Sequence, residues 1–175
     1  PAPQAPEGAT DKGDRLVLRL LWLSALVVVL DQVSKYWIVL TFDEFEVLTI
    51  WPVFNLTLVY NTGAAFSFLA EAGGWQRGFL ISVSVIVTVV MLVWLRRLSP
   101  HERLTGWGLA FVIGGAIGNL IDRIVLGKVV DFLQWHWQDW YYPSFNLADS
   151  AITLGVILLL LDGFFFAGRH DRSAR

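Results

Sequence analysis

Four long apolar segments constrain the fold of this 175-residue chain more than any other feature. They cover residues 16–40, 79–95, 104–125 and 147–166. A helix needs roughly 20 mostly apolar residues to cross a bilayer. The chain is 55% hydrophobic and 16% charged, whereas soluble domains have roughly 25% charged residues. We therefore predict an all-α membrane protein with four transmembrane helices.

The ends of the chain differ from the apolar part. Residues 1–15 are polar and rich in proline and glycine, so we predict that they are disordered, or a processed or non-native end. Residues 16–167 form one four-helix membrane domain, and residues 168–175 form a basic tail. The first span is too long for a signal-peptide core of roughly 7–15 residues, so we expect it to be retained.

The basic residues predict the orientation in the membrane. They concentrate before the first span, between the second and third, and after the fourth: Lys12, Arg15, Arg19, Arg96, Arg97, Arg103, Arg169, Arg172 and Arg175. The only basic residues in the other two connections are Arg77 and Lys128. Because cytoplasmic loops carry the excess of Lys and Arg, we expect both termini and the middle loop in the cytoplasm.

The two outer connections have patterns of their own. Residues 51–61, WPVFNLTLVYN, alternate apolar and polar side chains. This alternation predicts a strand in a small sheet at the membrane interface. Residues 135–142 contain three Trp and two Tyr, and such aromatics are common at headgroup level. We therefore predict a small β-sheet and an aromatic loop on the extracytoplasmic side.

Asp131 and Asp149 lie among apolar and aromatic residues at the outer ends of the third and fourth spans. These spans are antiparallel, so the two carboxylates can face each other. Two carboxylates at close range share one proton, which supplies a general base and a general acid. Asp149 also lies three residues after Asn146, so helix capping is an alternative role for it. Capping does not account for Asp131.

Other polar residues lie at the same ends of the spans. Asp31 and Lys35 are spaced i,i+4 and could form a structural ion pair, with Lys35 extending outward to the interface. Asn119 and Asp122 lie one turn apart beside Arg123, and a structural role near a site is favoured for them. Asn61 and Gly63 indicate a turn, or space for a bound chain.

Composition also excludes several classes of function. There is no cysteine, the three histidines are far apart, and the net charge of -2 gives no indication of nucleic-acid binding. A small carboxylate-based transporter or ion-binding protein is the competing class. It would place carboxylates near mid-span and contain an inverted repeat, whereas here the carboxylates cluster at one face and no repeat is found.

Five motifs, in this order, carry a resemblance to a known family: DQVSK (31–35), NTGAAFS (61–67), GGAIGNLIDR (114–123), VVDF (129–132) and FNLADS (145–150). Together they resemble bacterial lipoprotein signal peptidase, also called signal peptidase II. The resemblance extends from the first span to the fourth and implies an aspartic endopeptidase of the bacterial inner membrane, with its site near the outer leaflet.

The resemblance also implies roles for residues and partners. Asp131 and Asp149 would be the catalytic dyad, and Asp31 and Lys35 would support the structure. Six residues would support the site or contact substrate and inhibitor: Asn61, Gly63, Asn119, Asp122, Arg123 and Asn146. The substrate would be a prolipoprotein carrying diacylglycerol, cleaved just before its lipidated cysteine. We expect no metal or cofactor, inhibition by globomycin-type cyclic peptides, contact with membrane lipids, and a monomer.

Overall fold

The computed structural model describes residues 7–63, 75–99 and 101–165. The elements follow one another as α1 (Glu7–Thr41), β1 (Val47–Trp51), β2 (Phe54–Asn61), α2 (Trp75–Arg96), α3 (Arg103–Val125), β3 (Val129–Trp137), β4 (Trp140–Tyr141) and α4 (Leu147–Phe165). All four helices contain a stretch long and apolar enough to cross a membrane. The predicted fold class, four membrane helices with a small sheet, is confirmed.

The first helix begins earlier than the sequence predicts. Helix α1 begins at Glu7, whereas the sequence predicts a first span from residue 16; its apolar part is Val17–Thr41. Pro6 is the last proline before this helix. Residues 7–41 contain no proline, which would remove a backbone hydrogen bond of the helix. Residues 1–6 and the predicted basic tail, 168–175, lie outside the described residues.

Helix α3 is the centre of the bundle and packs against α1, α2 and α4. In its apolar stretch 67% of the residues are buried, against 11% in α2. Glycines make the close approach possible. Gly114 lies against Val27 of α1, and Gly108 lies against Gly155 of α4. Small residues at helix contacts are the usual means by which membrane helices pack closely.

An antiparallel sheet in the order β1-β2-β3-β4 covers one end of the bundle, which we call the sheet end. The sequence predicts one strand over residues 51–61, whereas the chain forms a hairpin of β1 and β2 with Pro52 between them. Part of the predicted aromatic loop forms β3 and β4 instead. In the register of β2 with β3, Val59 is opposite Asp131 and Asn61 is opposite Val129.

The sheet is held on the bundle by an apolar cluster at the sheet end of α1. Ile38 of α1 and Phe42, the residue after this helix, pack against Leu58 of β2 and against Val130 and Phe132 of β3. Val130 and Phe132 flank Asp131, so this packing fixes the backbone that carries Asp131. Asp131 itself is 3% exposed.

The contact between α3 and α4 yields a prediction about stability. In Gly155→Ala the new Cβ would lie 2.6 Å from the carbonyl oxygen of Gly108 and 2.7 Å from Cγ2 of Val112. The backbone of α3 cannot yield as a flexible side chain would, so we expect a loss of about 1–3 kcal/mol of stability. Thermal unfolding in detergent measures this loss.

Gly163→Ala is the matched control in the same helix. A Cβ at Gly163 meets nothing within 4 Å, and alanine favours a helix over glycine by about 1 kcal/mol. We expect Gly163→Ala to leave the Tm unchanged or slightly raised. Equal Tm values for the two variants would contradict the proposed importance of the α3–α4 contact.

Candidate active site

Asp131 lies in β3 with both carboxylate oxygens hydrogen-bonded. Asn61 Nδ2 donates to Oδ2 at 3.0 Å, and Asn146 Nδ2 donates to Oδ1 at 2.7 Å. Asn61 comes from the end of β2 and Asn146 from the residue before α4. The pairing of β2 with β3 and the start of α4 therefore both contribute to the position of the Asp131 carboxylate.

Asp149 lies in the first turn of α4. Its Oδ1 accepts a hydrogen bond from Asn119 Nδ2 at 2.7 Å, and its Oδ2 accepts one from the backbone N–H of Asn146 at 3.3 Å. The N–H of Asp149 in turn donates to Asn146 Oδ1 at 2.9 Å. This reciprocal pair is a helix cap, so the capping interpretation of Asn146 and Asp149 is confirmed. The cap leaves Oδ1 of Asp149 directed towards Asn119.

Asn146 joins the two aspartates, because its side-chain amide contacts both. Its Nδ2 donates to Asp131, and its Oδ1 accepts from the backbone of Asp149. Asn146 is fully buried. Both aspartates line the same cavity of about 930 Å³. The structure thus brings together the two carboxylates that the sequence predicts as a pair.

The rest of the cavity wall is mostly apolar. Helix α4 contributes Ile152, Leu154 and Ile157, and Trp135, Trp140, Tyr142 and Phe145 form an aromatic rim near the sheet. The cavity therefore has a polar end at the aspartates and an apolar side along α4. Such a site suits a ligand with both a polar group and hydrocarbon chains.

The pKa of Asp131 is raised from its ordinary value of 3.8 to about 7, chiefly by burial and in addition by the nearby carboxylate of Asp149. The hydrogen bonds from Asn61 and Asn146 and the charge of Lys35 act in the opposite direction. Burial has the largest effect because an ionised carboxylate loses its hydration there. A carboxyl with a pKa near 7 can take up or release a proton at physiological pH.

Arg123 and Gly63 stabilise the position of Asn61. Arg123 Nη2 donates to the carbonyl oxygen of Gly63 at 3.2 Å, and the N–H of Gly63 donates to Asn61 Oδ1 at 2.9 Å. With its Oδ1 so occupied, Asn61 turns its Nδ2 to Asp131. Arg123 also lines the main cavity and a smaller one of about 280 Å³ between α2, α3 and α4. All the residues after Gly63 in the NTGAAFS motif lie outside the described residues.

Asp31, Lys35 and Asp122 form a buried ion cluster on the bundle side of the aspartates. Lys35 Nζ lies 2.8 Å from Asp31 Oδ2 and 2.9 Å from Asp122 Oδ2. The predicted pairing of Asp31 with Lys35 is confirmed. The prediction that Lys35 extends outward is wrong, because its side chain is only 3% exposed and is directed at α3. A buried ammonium group has lower energy beside carboxylates than in hydrocarbon.

Gln32 also belongs to this cluster, although it is not among the predicted site residues. Its Nε2 donates to Asp122 Oδ1 at 2.8 Å and to Asp31 Oδ2 at 3.3 Å, so it bridges the two carboxylates. The available signal is a polar residue next to Asp31 in an apolar span. In the described part of the chain, no group of three or more His, Cys, Asp or Glu residues is arranged to hold a metal ion.

Comparison with known proteins identifies the family. The sequence model of the family described as signal peptidase (SPase) II matches residues 23–165. The chain belongs to this family. A lipoprotein signal peptidase from Ectopseudomonas mendocina is 52% identical over 157 residues, covering 89% of this chain and 90% of its own. One from Pseudomonas fluorescens is 51% identical over 149 residues, covering 84% of this chain and 88% of its own.

A solved structure of a bacterial membrane enzyme agrees with this assignment. It has a TM-score of 0.76 at 28% identity, covering 83% of this chain and 87% of that one. Signal peptidase II enzymes are aspartic-type peptidases, so the chain is a multi-pass bacterial membrane protease. Family membership decides against the transporter alternative.

The raised pKa of Asp131 predicts how stability depends on pH. The folded protein holds this proton more tightly than the unfolded chain does, because the pKa is about 7 when folded and ordinarily 3.8. The contribution of this proton to the free energy of unfolding is therefore fully present below about pH 4. It is lost as the pH rises to about 7, by at most about 1.4 kcal/mol per pH unit. In Asp131→Asn, the difference in Tm between pH 5 and pH 8 should shrink.

Asp139→Asn is the control for this experiment, because Asp139 is an exposed aspartate in the turn between β3 and β4. It should keep the wild-type difference in Tm. If Asp131→Asn also kept the full difference, the titration of Asp131 would not be its source.

Proposed function

We propose that Asp131 and Asp149 are the catalytic dyad with which this signal peptidase II removes the signal peptide from prolipoproteins. The substrate carries diacylglycerol on a cysteine, and the peptide bond just before that cysteine is cleaved. The observation that supports the proposal best is the bridge through Asn146, which holds two aspartates at one cavity. The catalytic residues come from β3 and α4, and no second chain is needed to complete the dyad, so we propose that a monomer is active.

The reaction needs a single proton shared by the two carboxyl groups. The ionised aspartate takes a proton from water, and the water oxygen attacks the scissile carbonyl carbon. The protonated aspartate donates its proton to the carbonyl oxygen. When the tetrahedral intermediate collapses, the C–N bond breaks and the proton taken from water passes to the leaving amine. The pKa of about 7 for Asp131 supports a dyad that holds one proton at neutral pH.

Neutral donors surround the dyad. Asn61, Asn119 and Asn146 each donate a side-chain N–H to a dyad carboxylate. These amides orient the carboxylates without adding a positive charge that would hold both of them ionised. Arg123, at the edge of the cavity, is placed to contact the substrate.

The apolar wall of the cavity supports a lipidated substrate. The acyl chains of a substrate already in the bilayer would pass along Ile152, Leu154 and Ile157 of α4, where dispersion contacts stabilise them. The aromatic rim of Trp135, Trp140 and Tyr142 would lie at headgroup level. A globomycin-type cyclic peptide would occupy the same cavity. Because Arg96, Arg97 and Arg103 lie at the opposite end of the bundle, we place the sheet end at the outer leaflet.

Substitution of each aspartate tests the dyad. We expect Asp131→Asn and Asp149→Asn each to abolish cleavage of a lipidated prolipoprotein while the protein stays folded, because asparagine cannot exchange a proton. The double variant should be little worse than either single one, since the two residues act as a unit. The measurements are initial cleavage rates and thermal unfolding of the same preparations. The exposed Asp43→Asn should cleave at the wild-type rate.

A purely capping role for Asp149 makes the opposite prediction. The Oδ1 of an asparagine at position 149 can still accept the N–H of Asn146, and loss of the charge–dipole interaction changes stability by only about 0.3–1 kcal/mol. Near-normal cleavage by a folded Asp149→Asn variant would remove Asp149 from the dyad.

Cysteine labelling tests the orientation, because the chain has no cysteine of its own. A cysteine at the exposed Asp139, at the sheet end, should react with a membrane-impermeant reagent added outside the cytoplasmic membrane. A cysteine at the exposed Ser99, between α2 and α3, should react only after the membrane is opened. The reverse pattern would place the site on the cytoplasmic side.

A further inference from the structure

The ammonium group of Lys35 has three hydrogen-bond acceptors within the bundle. Nζ lies 2.8 Å from Asp31 Oδ2, 2.9 Å from Asp122 Oδ2 and 2.9 Å from Asn119 Oδ1. An ammonium group has three N–H donors, so these acceptors use all of them. Each of the three acceptor residues also contacts part of the site.

The first acceptor leads to Asp149. Asp31 Oδ1 accepts a hydrogen bond from the backbone N–H of Ala148 at 2.9 Å. Ala148 is fully buried and immediately precedes Asp149. The first N–H groups of a helix have no partner within the helix, so a carboxylate from α1 can hold the start of α4. Asp31 thereby fixes the backbone next to Asp149.

The second acceptor leads to Asp131 in the same way. Asp122 Oδ2 accepts a hydrogen bond from the backbone N–H of Val130 at 3.1 Å. Val130 immediately precedes Asp131 in β3. One ammonium group is therefore bonded to two carboxylates, and each carboxylate holds the residue before a different member of the dyad.

The third acceptor determines the direction of a side-chain amide. Asn119 Oδ1 faces Lys35, so its Nδ2 is directed to Asp149 Oδ1 at 2.7 Å. The reversed amide would place N–H groups against the ammonium and an oxygen against a carboxylate. The charge of Lys35 thus selects the orientation in which Asn119 donates to Asp149.

We infer that Lys35 is a positioning residue, which sets the separation of the Asp131 and Asp149 carboxylates through Asp31, Asp122 and Asn119. The inference rests on the proposed function, because it takes these two aspartates as the dyad. Sharing one proton requires a close and constant separation of the carboxyl groups. A displacement of about 1 Å in a reacting group can lower a rate about 100-fold.

Stability alone is a weak explanation for this cluster. A buried ion pair is often no more stabilising than apolar residues of the same volume, since both charges lose their hydration. Removal of one partner, however, leaves a buried charge without compensation and destabilises the fold. Direct substitution of Lys35 would therefore confuse loss of positioning with loss of folding. A test must move the cluster and leave every charge in place.

Gly118→Ala meets this requirement. A Cβ at Gly118 would lie 2.6 Å from Asp31 Oδ2, so the carboxylate must move although no charged or polar atom is removed. Gly106→Ala is the matched control. It lies on the same helix, and its Cβ would lie 2.7 Å from Leu20 Cδ1 of α1, at the end of α3 far from the dyad. We expect kcat of Gly118→Ala to fall about 100-fold with KM little changed.

The expected result for Gly106→Ala is a wild-type kcat per folded molecule, with the folded fraction taken from thermal unfolding. Equal kcat values per folded molecule for Gly118→Ala and Gly106→Ala would overturn the inference. A loss of total activity in Gly118→Ala that matches its loss in folded fraction would overturn it too, because a purely structural role predicts that result. The dyad itself is tested separately by Asp131→Asn and Asp149→Asn, so failure here leaves the proposed function intact.

A second variant keeps the inference testable if Gly118→Ala does not fold. Gln32 Nε2 bridges Asp122 Oδ1 and Asp31 Oδ2. Gln32→Met keeps the length of the side chain and removes this bridge, so the two carboxylates are held less firmly. We expect a lower kcat with an unchanged KM. A wild-type kcat in folded Gln32→Met would contradict the inference.

Discussion

One buried positive charge, on Lys35, is the constraint on which the sheet end of this molecule depends. In hydrocarbon an unpaired ammonium is unfavourable, so α1 must lie where α3 offers Asp122 and Asn119. Asp31 from α1 itself completes the set. Because the two carboxylates also accept backbone N–H groups from α4 and β3, four elements of the fold meet around a single ion.

Close helix packing is a condition for this polar cluster. Gly118 lies so near Asp31 that a Cβ there would be 2.6 Å from the carboxylate. Gly108 and Gly155 bring α4 equally close to α3. Lipid gives membrane helices no hydrophobic force to associate, so dispersion contacts and interhelical hydrogen bonds hold them together. In this bundle the glycines permit both the dispersion contacts and the interhelical hydrogen bonds, so the two kinds of contact occur at the same positions.

Asp149 has an observed structural role in a helix cap and, in the proposed function, a second role in the catalytic dyad. Its Oδ2 accepts the N–H of Asn146 and so begins α4, while its Oδ1 accepts from Asn119 at the cavity. The free N–H groups at a helix start favour a carboxylate. The same position therefore stabilises the helix and presents a carboxyl oxygen to the site. A second carboxylate, Asp131, is brought there by a strand.

The sequence by itself determined the features that depend on local spacing. Length and apolar character give four spans, the i,i+4 spacing gives the pairing of Asp31 with Lys35, and the i,i+3 spacing gives the cap of Asn146 with Asp149. Only the tertiary structure decided that Lys35 points inward and that Val59 pairs with Asp131 in a sheet. The physical reason is separation along the chain, since Lys35 and Asn119 are 84 positions apart. A local sequence pattern does not indicate which distant oxygen will contact a buried charge.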